Sequence, residues 1–229
     1  DGRARATGNL KRLRLTPATT SAARLMLPRQ AGIEPRTASP DVDQEGVLAA
    51  FEAAEARPLT PAEHVLLLAR RKAAAVVAAL EEDGEDFDGV VIGGDSMFEL
   101  DGEILGKPYT PDVATARWRD MRGRTGVLHS GHSVIRLAPG AAPVEAHAVA
   151  EASVSFAADV TDAEISAYVA TGEPLLVAGA FTVDSLGGPF ITRVEGDPST
   201  VVGMSLSTLR ALWRELGVAW PGLRGTSTD

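Results

Sequence analysis

Residues 90–108, VVIGGDSMFELDGEILGKP, decide the fold of this chain. The first three residues form a continuous β-branched run, which is typical of a strand covered on both faces. Gly93 and Gly94 follow, and without Cβ atoms they allow a ligand or another backbone to come close. We expect Asp95 to lie at the carboxyl end of this buried strand, which is where open α/β sheets place their ligands.

The second half of the stretch predicts a β-hairpin. Asp101-Gly102 stands between two short apolar runs and favours a two-residue turn. The return strand ends in Gly106-Lys107-Pro108, which would bring Lys107 back beside Asp95. A carboxylate facing a lysine would suit a metal ion and a phosphate; an exposed turn with an ordinary ion pair is the alternative.

Composition and charge narrow the class of protein. The 229 residues carry a net charge of −9 and lack cysteine, so a duplex-binding face is not expected and disulfides and thiolate chemistry are excluded. No apolar run approaches the roughly 18 residues of a membrane helix, so we expect no membrane partner. A polyanionic substrate would need a local cluster of lysine and arginine, a divalent cation, or both.

The N-terminal part of the chain predicts an anion site. A first strand over residues 13–17 is followed by Thr19, Thr20 and Ser21, and Ser21 would cap a helix. A helix N-terminus with free N–H groups, hydroxyl side chains and Arg24 one turn in is suited to phosphate. A plain N-cap with a solvated Arg24 is the alternative. Pro28 should kink or end this helix.

A second helix is predicted from Pro61 to about Glu82, because Thr60 and Glu63 form a capping box. Lys72 lies in the middle of its apolar stripe and needs a partner or a ligand, since burying an unpaired ammonium is costly. Snorkelling to solvent is the alternative. The stripe consists of Val65, Ala69, Ala73, Val76 and Leu80.

The rest of the chain alternates between strands and helices and predicts an α/β or α+β architecture. His129 and His132 would lie on opposite faces of one strand, so a shared metal is not expected. Helices are predicted at 110–123, 161–172 and from 206 to Gly217; strands at 127–137, 146–157, from Pro174 to Val183 and at 190–194; and a ligand loop at 184–189.

Several short motifs are spaced along the chain. They are Ser21-Ala22-Ala23-Arg24, Ala69-Arg70-Arg71-Lys72-Ala73, Gly94-Asp95, Gly106-Lys107-Pro108, Gly123-Arg124-Thr125, Gly172-Glu173-Pro174 and Glu195-Gly196-Asp197. In this order and spacing the motifs resemble the Maf family of nucleoside triphosphate pyrophosphatases.

The resemblance implies a fold and an activity. The fold would be α/β, with a curved mixed sheet flanked by helices and a nucleotide cleft between two lobes, similar to the inosine triphosphate pyrophosphatases. Residues 13–220 would form one domain, with flexible tails at 1–12 and 221–229. The activity would be house-cleaning hydrolysis of nucleoside triphosphates to monophosphate and pyrophosphate, in a cytoplasmic homodimer that uses a divalent metal cation, Mg²⁺, Mn²⁺ or Co²⁺.

The resemblance also assigns roles to residues. Asp95 would bind the metal or activate the attacking water, and the sequence does not choose between the two. Asp184 would recognise the base and Glu45 would be a second metal ligand. The triphosphate would be held, and its developing charge stabilised, by Thr19, Ser21, Arg24, Lys72 and Lys107.

Some positions depart from the family pattern. Gln44 replaces a usual glutamate, with Glu45 next to it, and Ala23 replaces a second arginine. Asp184 replaces a usual glutamine, and a carboxylate accepts hydrogen bonds but does not donate them. The substrate would be dTTP, UTP or a modified form, with a 7-methyl-GTP-type nucleotide as the alternative. A non-catalytic nucleotide-binding division regulator and a plain structural scaffold are the rival interpretations.

Overall fold

The structure, a computed structural model, describes residues 13–84 and 86–220. A six-stranded mixed sheet flanked by helices confirms the expected α/β class. The strands are β1 (Arg14–Ala18), β2 (Gly89–Leu100), β3 (Glu103–Leu105), β4 (Thr125–Leu137), β5 (Val144–Phe156) and β6 (Ile191–Gly196). The helices are α1 (Ala22–Gln30), α2 (Gln44–Glu55), α3 (Pro61–Glu82), α4 (Pro111–Met121), α5 (Asp162–Ala170), α6 (Pro198–Val202) and α7 (Leu206–Glu215). The tails expected at 1–12 and 221–229 lie outside the described residues.

The order of the strands leaves a gap along one edge of β2. The main order is β1-β2-β4-β5-β6, and β3 also pairs with β2. β1 runs parallel to β2 as far as Gly93, whereas β3 pairs antiparallel with β2 from Phe98 onward. Because β4 occupies the other edge of β2, β1 and β3 share one edge. Among the described strands, none pairs with residues 94–97 on that edge.

The expected position of Asp95 at the end of a strand is wrong, because β2 continues to Leu100. Gly93 does not break the strand; it allows α3 to approach the sheet. A Cβ atom at Gly93 would lie 1.9 Å from the carbonyl oxygen of Ala69. Gly93 is therefore a site of close helix–strand packing, and Asp95 lies within the strand, at the level of the gap.

Alternating residues of β2 supply different cores. Val90 and Ile92 pack on one face against α7, whereas Val91 packs on the other face against α3. Farther along the strand, Phe98 belongs to a third, aromatic core that contains Trp118 and Phe156. The long strands β2, β4 and β5 supply residues to cores at both ends of the sheet.

The local signals for turns and helices are mostly confirmed. Asp101 and Gly102 have φ angles of 49° and 84°, as a hairpin turn with two left-handed residues requires. Both capping boxes form, at Thr60 and Thr161. Pro28 lies inside α1, and the helix ends two residues later. Across the described helices, a membrane-crossing length of apolar sequence is not found.

The strand expected between Pro174 and Val183 is wrong. This segment forms two short 3₁₀ turns, Glu173–Leu176 and Ala178–Ala180. Gly179 has a φ of 73°, and a Cβ atom there would come within 2.9 Å of the Phe98 ring. Ala180 and Phe181 are therefore buried by packing in the aromatic core rather than by pairing with a strand, whereas Leu176 is exposed.

Candidate active site

The start of α1 lies at the gap in the sheet, because β1 ends beside Gly93 and the chain turns directly into the helix. Ser21 is the N-cap, as expected: its Oγ accepts a hydrogen bond of 3.5 Å from the amide of Arg24. The buried Thr19 supports this cap, since its Oγ1 accepts a 3.0 Å bond from the amide of Ser21. Two hydroxyl groups and a helix N-terminus thus meet at the gap, an arrangement suited to anions.

Lys72 and Asp95 form an ion pair beside the gap. Lys72 Nζ donates to Asp95 Oδ1 at 2.6 Å, and the two side chains are only 11% and 14% exposed. The close packing of α3 against Gly93 brings the lysine to the strand. The need of Lys72 for a partner is confirmed, and the snorkelling alternative is wrong. Among the described residues no hydrogen bond is made to Asp95 Oδ2, so this oxygen remains for a metal ion or a water molecule.

Arg24 is held on the other side of β2. Its Nε donates to the carbonyl oxygen of Gly203 at 2.9 Å and an NH2 group donates to Ser96 Oγ at 3.0 Å. Burial lowers the pKa of Arg24, while the charge of Asp95 raises it. The alternative of a solvated arginine is therefore wrong. A fixed cation lies near the carboxylate of Asp95.

His64 is a residue of this site that the sequence interpretation missed. Burial lowers the pKa of His64, as does the charge of Lys72, whereas Asp95 and Glu52 act in the opposite direction. A neutral imidazole therefore stands near the ion pair at pH 7. The signal was present in the sequence, because His64 precedes Lys72 by eight residues and shares its face of the helix.

Lys107 is brought toward the open edge by the hairpin. The pairing of Phe98 with Leu105 carries the chain back along β2, so that Lys107, two residues later, returns toward the level of Ser96. The side chain is exposed and makes no ion pair with another described residue. The partner of Asp95 is Lys72 instead. A role for Lys107 in holding phosphate stays a prediction.

The predicted metal ligands do not belong to a preformed metal site among the described residues. Glu45 lies exposed in the first turn of α2 and makes no side-chain hydrogen bond to another described residue. Within residues 13–84 and 86–220, no group of three or more His, Asp or Glu side chains is arranged to hold a metal. Asp95 has the hard oxygen donors that Mg²⁺ prefers, so its role as a ligand stays a prediction, as does that of Glu45.

The loop that carries Asp184 is held by one carboxylate. Glu173 accepts hydrogen bonds from Ser185 Oγ at 2.7 Å, Tyr168 Oη at 2.9 Å and the amide of Gly187 at 3.2 Å. Burial alone would raise the pKa of Glu173, but these bonds outweigh it and lower the pKa. Asp184 itself is exposed, so its proposed contact with a base stays a prediction.

Fold and site together define a class of protein: a mixed α/β protein in which a carboxylate of β2 and a lysine of α3 form an ion pair beside a gap that is suited to anions. A sequence profile described as "Maf-like protein" matches residues 14–216. The chain belongs to this family, and the recognition made from the motifs is confirmed.

Related sequences cover nearly the whole chain. A protein of Leifsonia xyli subsp. xyli is 60% identical over 211 residues, which is 92% of this chain and 96% of the relative. A protein of Rhodococcus jostii is 50% identical over 202 residues, with 88% and 91% covered. A protein of Salinispora tropica is 50% identical over 218 residues, with 94% and 90% covered. All three relatives bear the name nucleoside triphosphate pyrophosphatase.

Proposed function

We propose that this chain hydrolyses nucleoside triphosphates to nucleoside monophosphate and pyrophosphate. The observation that carries the proposal is the shielded Lys72–Asp95 pair, 2.6 Å apart, beside the N-terminus of α1. The relatives at 50–60% identity carry the name of this activity. A water molecule would attack the α-phosphorus, the α–β bridging bond would break, and pyrophosphate would leave.

Each residue of the site has a part in this reaction. Ser21 and Thr19 would place hydroxyl groups and backbone amides against the phosphate oxygens. Lys72 fixes the orientation of Asp95, whose free oxygen would orient the water or bind a cation. Lys107 would fold over the outer phosphates from the hairpin, while Arg24 would stabilise developing negative charge from its partly buried position. These effects act through electrostatics and positioning, which dominate phosphoryl chemistry.

A divalent cation would complete the charge balance. Mg²⁺, Mn²⁺ or Co²⁺, bound by Asp95 and Glu45, would neutralise phosphate charge and lower the pKa of a bound water. The proposed substrates are UTP and dTTP or modified forms, with Asp184 reading the base. A methylated guanine nucleotide is the alternative, because Asp184 accepts hydrogen bonds from a guanine N–H edge. We further propose a cytoplasmic, house-cleaning homodimer.

A second candidate is a nucleotide-binding division regulator without turnover. Gln44 and Ala23 favour this candidate, since each removes a charged group that the family pattern contains at the site. The retained Lys72–Asp95 pair favours the enzyme. It also argues against a plain structural scaffold, because burying a lysine is costly and a scaffold does not need it.

Pyrophosphate release separates the two candidates. The assay covers a panel of canonical and modified triphosphates, with each of the three metals and with chelator. We expect metal-dependent pyrophosphate from a few nucleotides, and loss of most turnover in Asp95→Asn. Binding without turnover in the unmodified protein would favour the regulator, and orthophosphate as the first product would contradict cleavage at the α–β bond.

A further inference from the structure

The guanidinium group of Arg24 is anchored beside the gap in the sheet. Its side chain passes over Gly94, where a Cβ atom would lie 3.5 Å from Arg24 Cδ. Arg24 Nε donates to the carbonyl oxygen of Gly203 at 2.9 Å, and Nη2 donates to Ser96 Oγ at 3.0 Å. Among the described residues, none accepts a hydrogen bond from Nη1. Two nitrogens therefore fix the guanidinium, and the third remains for a ligand at the gap.

Ser130 joins this anchor from the neighbouring strand. It pairs with Ser96 in the register of β2 and β4, and it is completely buried. Ser130 Oγ donates to the Gly203 carbonyl oxygen at 3.2 Å and lies 3.2 Å from Ser96 Oγ. Among the described residues, its side chain bonds only to these two groups, and both of them hold Arg24 directly. Ser130 therefore acts on the guanidinium through other residues.

The turn that carries the Gly203 carbonyl group is fastened to the same face of β4. Ser130 and His132 are two residues apart in the strand, so their side chains share that face. His132 Nε2 accepts a hydrogen bond of 2.8 Å from the amide of Ser205. Gly203 has a φ of 120°, which favours glycine, and a Cβ atom there would lie 3.4 Å from Arg24 Nε. The carbonyl oxygen that receives Arg24 is therefore held in place at both ends of the turn.

We propose that Ser130 is a positioning residue: with Ser96 and the Gly203 carbonyl group, it holds Arg24 so that Nη1 meets the phosphates of the nucleotide. This rests on the proposed function. A guanidinium that is fixed before the ligand arrives loses little rotamer freedom on binding. The buried hydroxyl group of Ser130 therefore strengthens phosphate binding without contacting a phosphate. The same preorganisation favours the negative charge that develops during the reaction.

The test is the affinity for inorganic tripolyphosphate, which contains the phosphates of the substrate but no sugar or base. Calorimetric titrations at a fixed Mg²⁺ concentration compare the unmodified protein with Ser130→Ala, Arg24→Met and the double variant. We expect Ser130→Ala to weaken binding about threefold to tenfold, the usual cost of immobilising one long side chain. Once Arg24 is replaced, Ser130→Ala should have no further effect. Ser96→Ala should behave in the same way.

Arg24→Met keeps the binding measurable, because Lys107 and the N-terminus of α1 remain. Titrations at low ionic strength strengthen the remaining charge interactions.

Ser133→Ala is the matched control for Ser130→Ala. Ser133 is also completely buried in β4, and its Oγ donates one hydrogen bond of 2.8 Å to Glu145. Both variants lose one buried hydroxyl group, so their melting temperatures should fall by similar amounts. Only Ser130→Ala should weaken the binding of tripolyphosphate.

Binding and turnover are measured separately, so that the positioning role and the proposed activity can fail independently. A loss of affinity that depends on Arg24 supports the positioning role, even in a protein that releases no pyrophosphate. Unchanged affinity in Ser130→Ala and Ser96→Ala would overturn it, even in an active enzyme. An equal loss in Ser133→Ala or in the Arg24→Met background would also overturn it, as would an unmodified protein that does not bind tripolyphosphate.

Discussion

The ion pair between Lys72 and Asp95 is almost withdrawn from solvent, so neither charge tolerates the loss of the other. We expect Lys72→Met to lower the free energy of unfolding by about 3 kcal/mol, because it leaves a shielded carboxylate unpaired. Asp95→Asn should also lower the free energy of unfolding. The double variant should lose less of this free energy than the sum of the two single losses. Urea unfolding of the four proteins measures the coupling.

The matched control for this cycle is an exposed pair. Arg29 and Glu34 lie 3.0 Å apart with side chains 48% and 69% exposed. Arg29→Met should change the free energy of unfolding by less than about 1 kcal/mol, as is usual for surface pairs. Additive effects of Lys72→Met and Asp95→Asn would show that the shielded pair is energetically no different from this one.

A buried histidine should make stability depend on pH. Burial and the charge of Arg24 lower the pKa of His132 to about 4, and His132 Nε2 accepts from the amide of Ser205 at 2.8 Å. The unfolded chain takes up this proton near pH 6.5, whereas the folded chain does so only near pH 4. The free energy of unfolding should therefore fall as the pH drops from 6.5 to 4, by an amount on the order of 3 kcal/mol.

His132→Gln isolates this contribution. Glutamine retains an acceptor for the Ser205 amide but takes up no proton, so unfolding curves between pH 7 and 4.5 should be flatter than those of the unmodified protein. The same dependence in both proteins would mean that another group is responsible.

At the scale of elements, the contact between α3 and β2 positions the site. Gly93→Ala would place a methyl group 1.9 Å from the Ala69 carbonyl oxygen and 2.8 Å from the Ala73 amide nitrogen. Backbone atoms do not yield easily, so we expect a loss of about 2 kcal/mol in the free energy of unfolding. Turnover should fall as well, because the displaced helix carries Lys72.

Gly106→Ala is the matched control for Gly93→Ala, because no atom lies within 4 Å of a Cβ built there. Thermal unfolding of the two variants should therefore differ by several degrees. Equal melting temperatures would show that α3 can move away from the sheet at little cost.

Glu173 accepts most of the side-chain hydrogen bonds that hold the loop carrying Asp184. Glu173→Ala removes the acceptor for Ser185, Tyr168 and the amide of Leu186, and it leaves the amide of Gly187 with only its 3.3 Å bond to Thr182 Oγ1. We expect hydrogen exchange at the amides of Leu186 and Gly187 to become faster while exchange in β2 stays slow. Unchanged exchange at both amides would show that the loop keeps its conformation through other contacts.

The elements that the sequence predicted correctly are those set by near neighbours. The capping box of Thr60 with Glu63 and the turn at Asp101-Gly102 depend on residues at most three apart, and both form. The burial of Lys72 followed from helical periodicity. These parts of the fold were therefore predictable without knowledge of the packing.

The features that were missed depend on distant contacts. Arg24 is held by Gly203, which is 179 residues away in the chain. The glycine pair after Ile92 is compatible with a turn and equally with a strand against which a helix packs. Only the approach of α3 to Gly93 shows that the strand continues. Likewise, the apolar run after Pro174 did not distinguish a strand from buried 3₁₀ turns, because apolar content reports burial and not conformation.

At the scale of the whole molecule, the long strands should make both ends of the sheet unfold together. The core between the sheet and α7 contains Ile92 and Leu212, and the aromatic core contains Phe98 and Leu128. β2 and β4 contribute to both cores, so losing one core exposes strand residues that support the other. The side chain of Leu212 is only 4% exposed, so Leu212→Ala should lower the free energy of unfolding by about 3 kcal/mol.

Hydrogen exchange can follow this loss in both cores. If unfolding is global, Leu212→Ala should lower the opening free energy of the slowest-exchanging amides. The decrease should be the same for amides near Leu128 as for amides near Ile92. Phe156→Leu, in the aromatic core, should produce the reciprocal effect at Ile92. Protection near Leu128 that survives Leu212→Ala would contradict a single cooperative unit. The two cores could then separate along β2, and the residues at its open edge, Asp95 among them, would lie where the two units join.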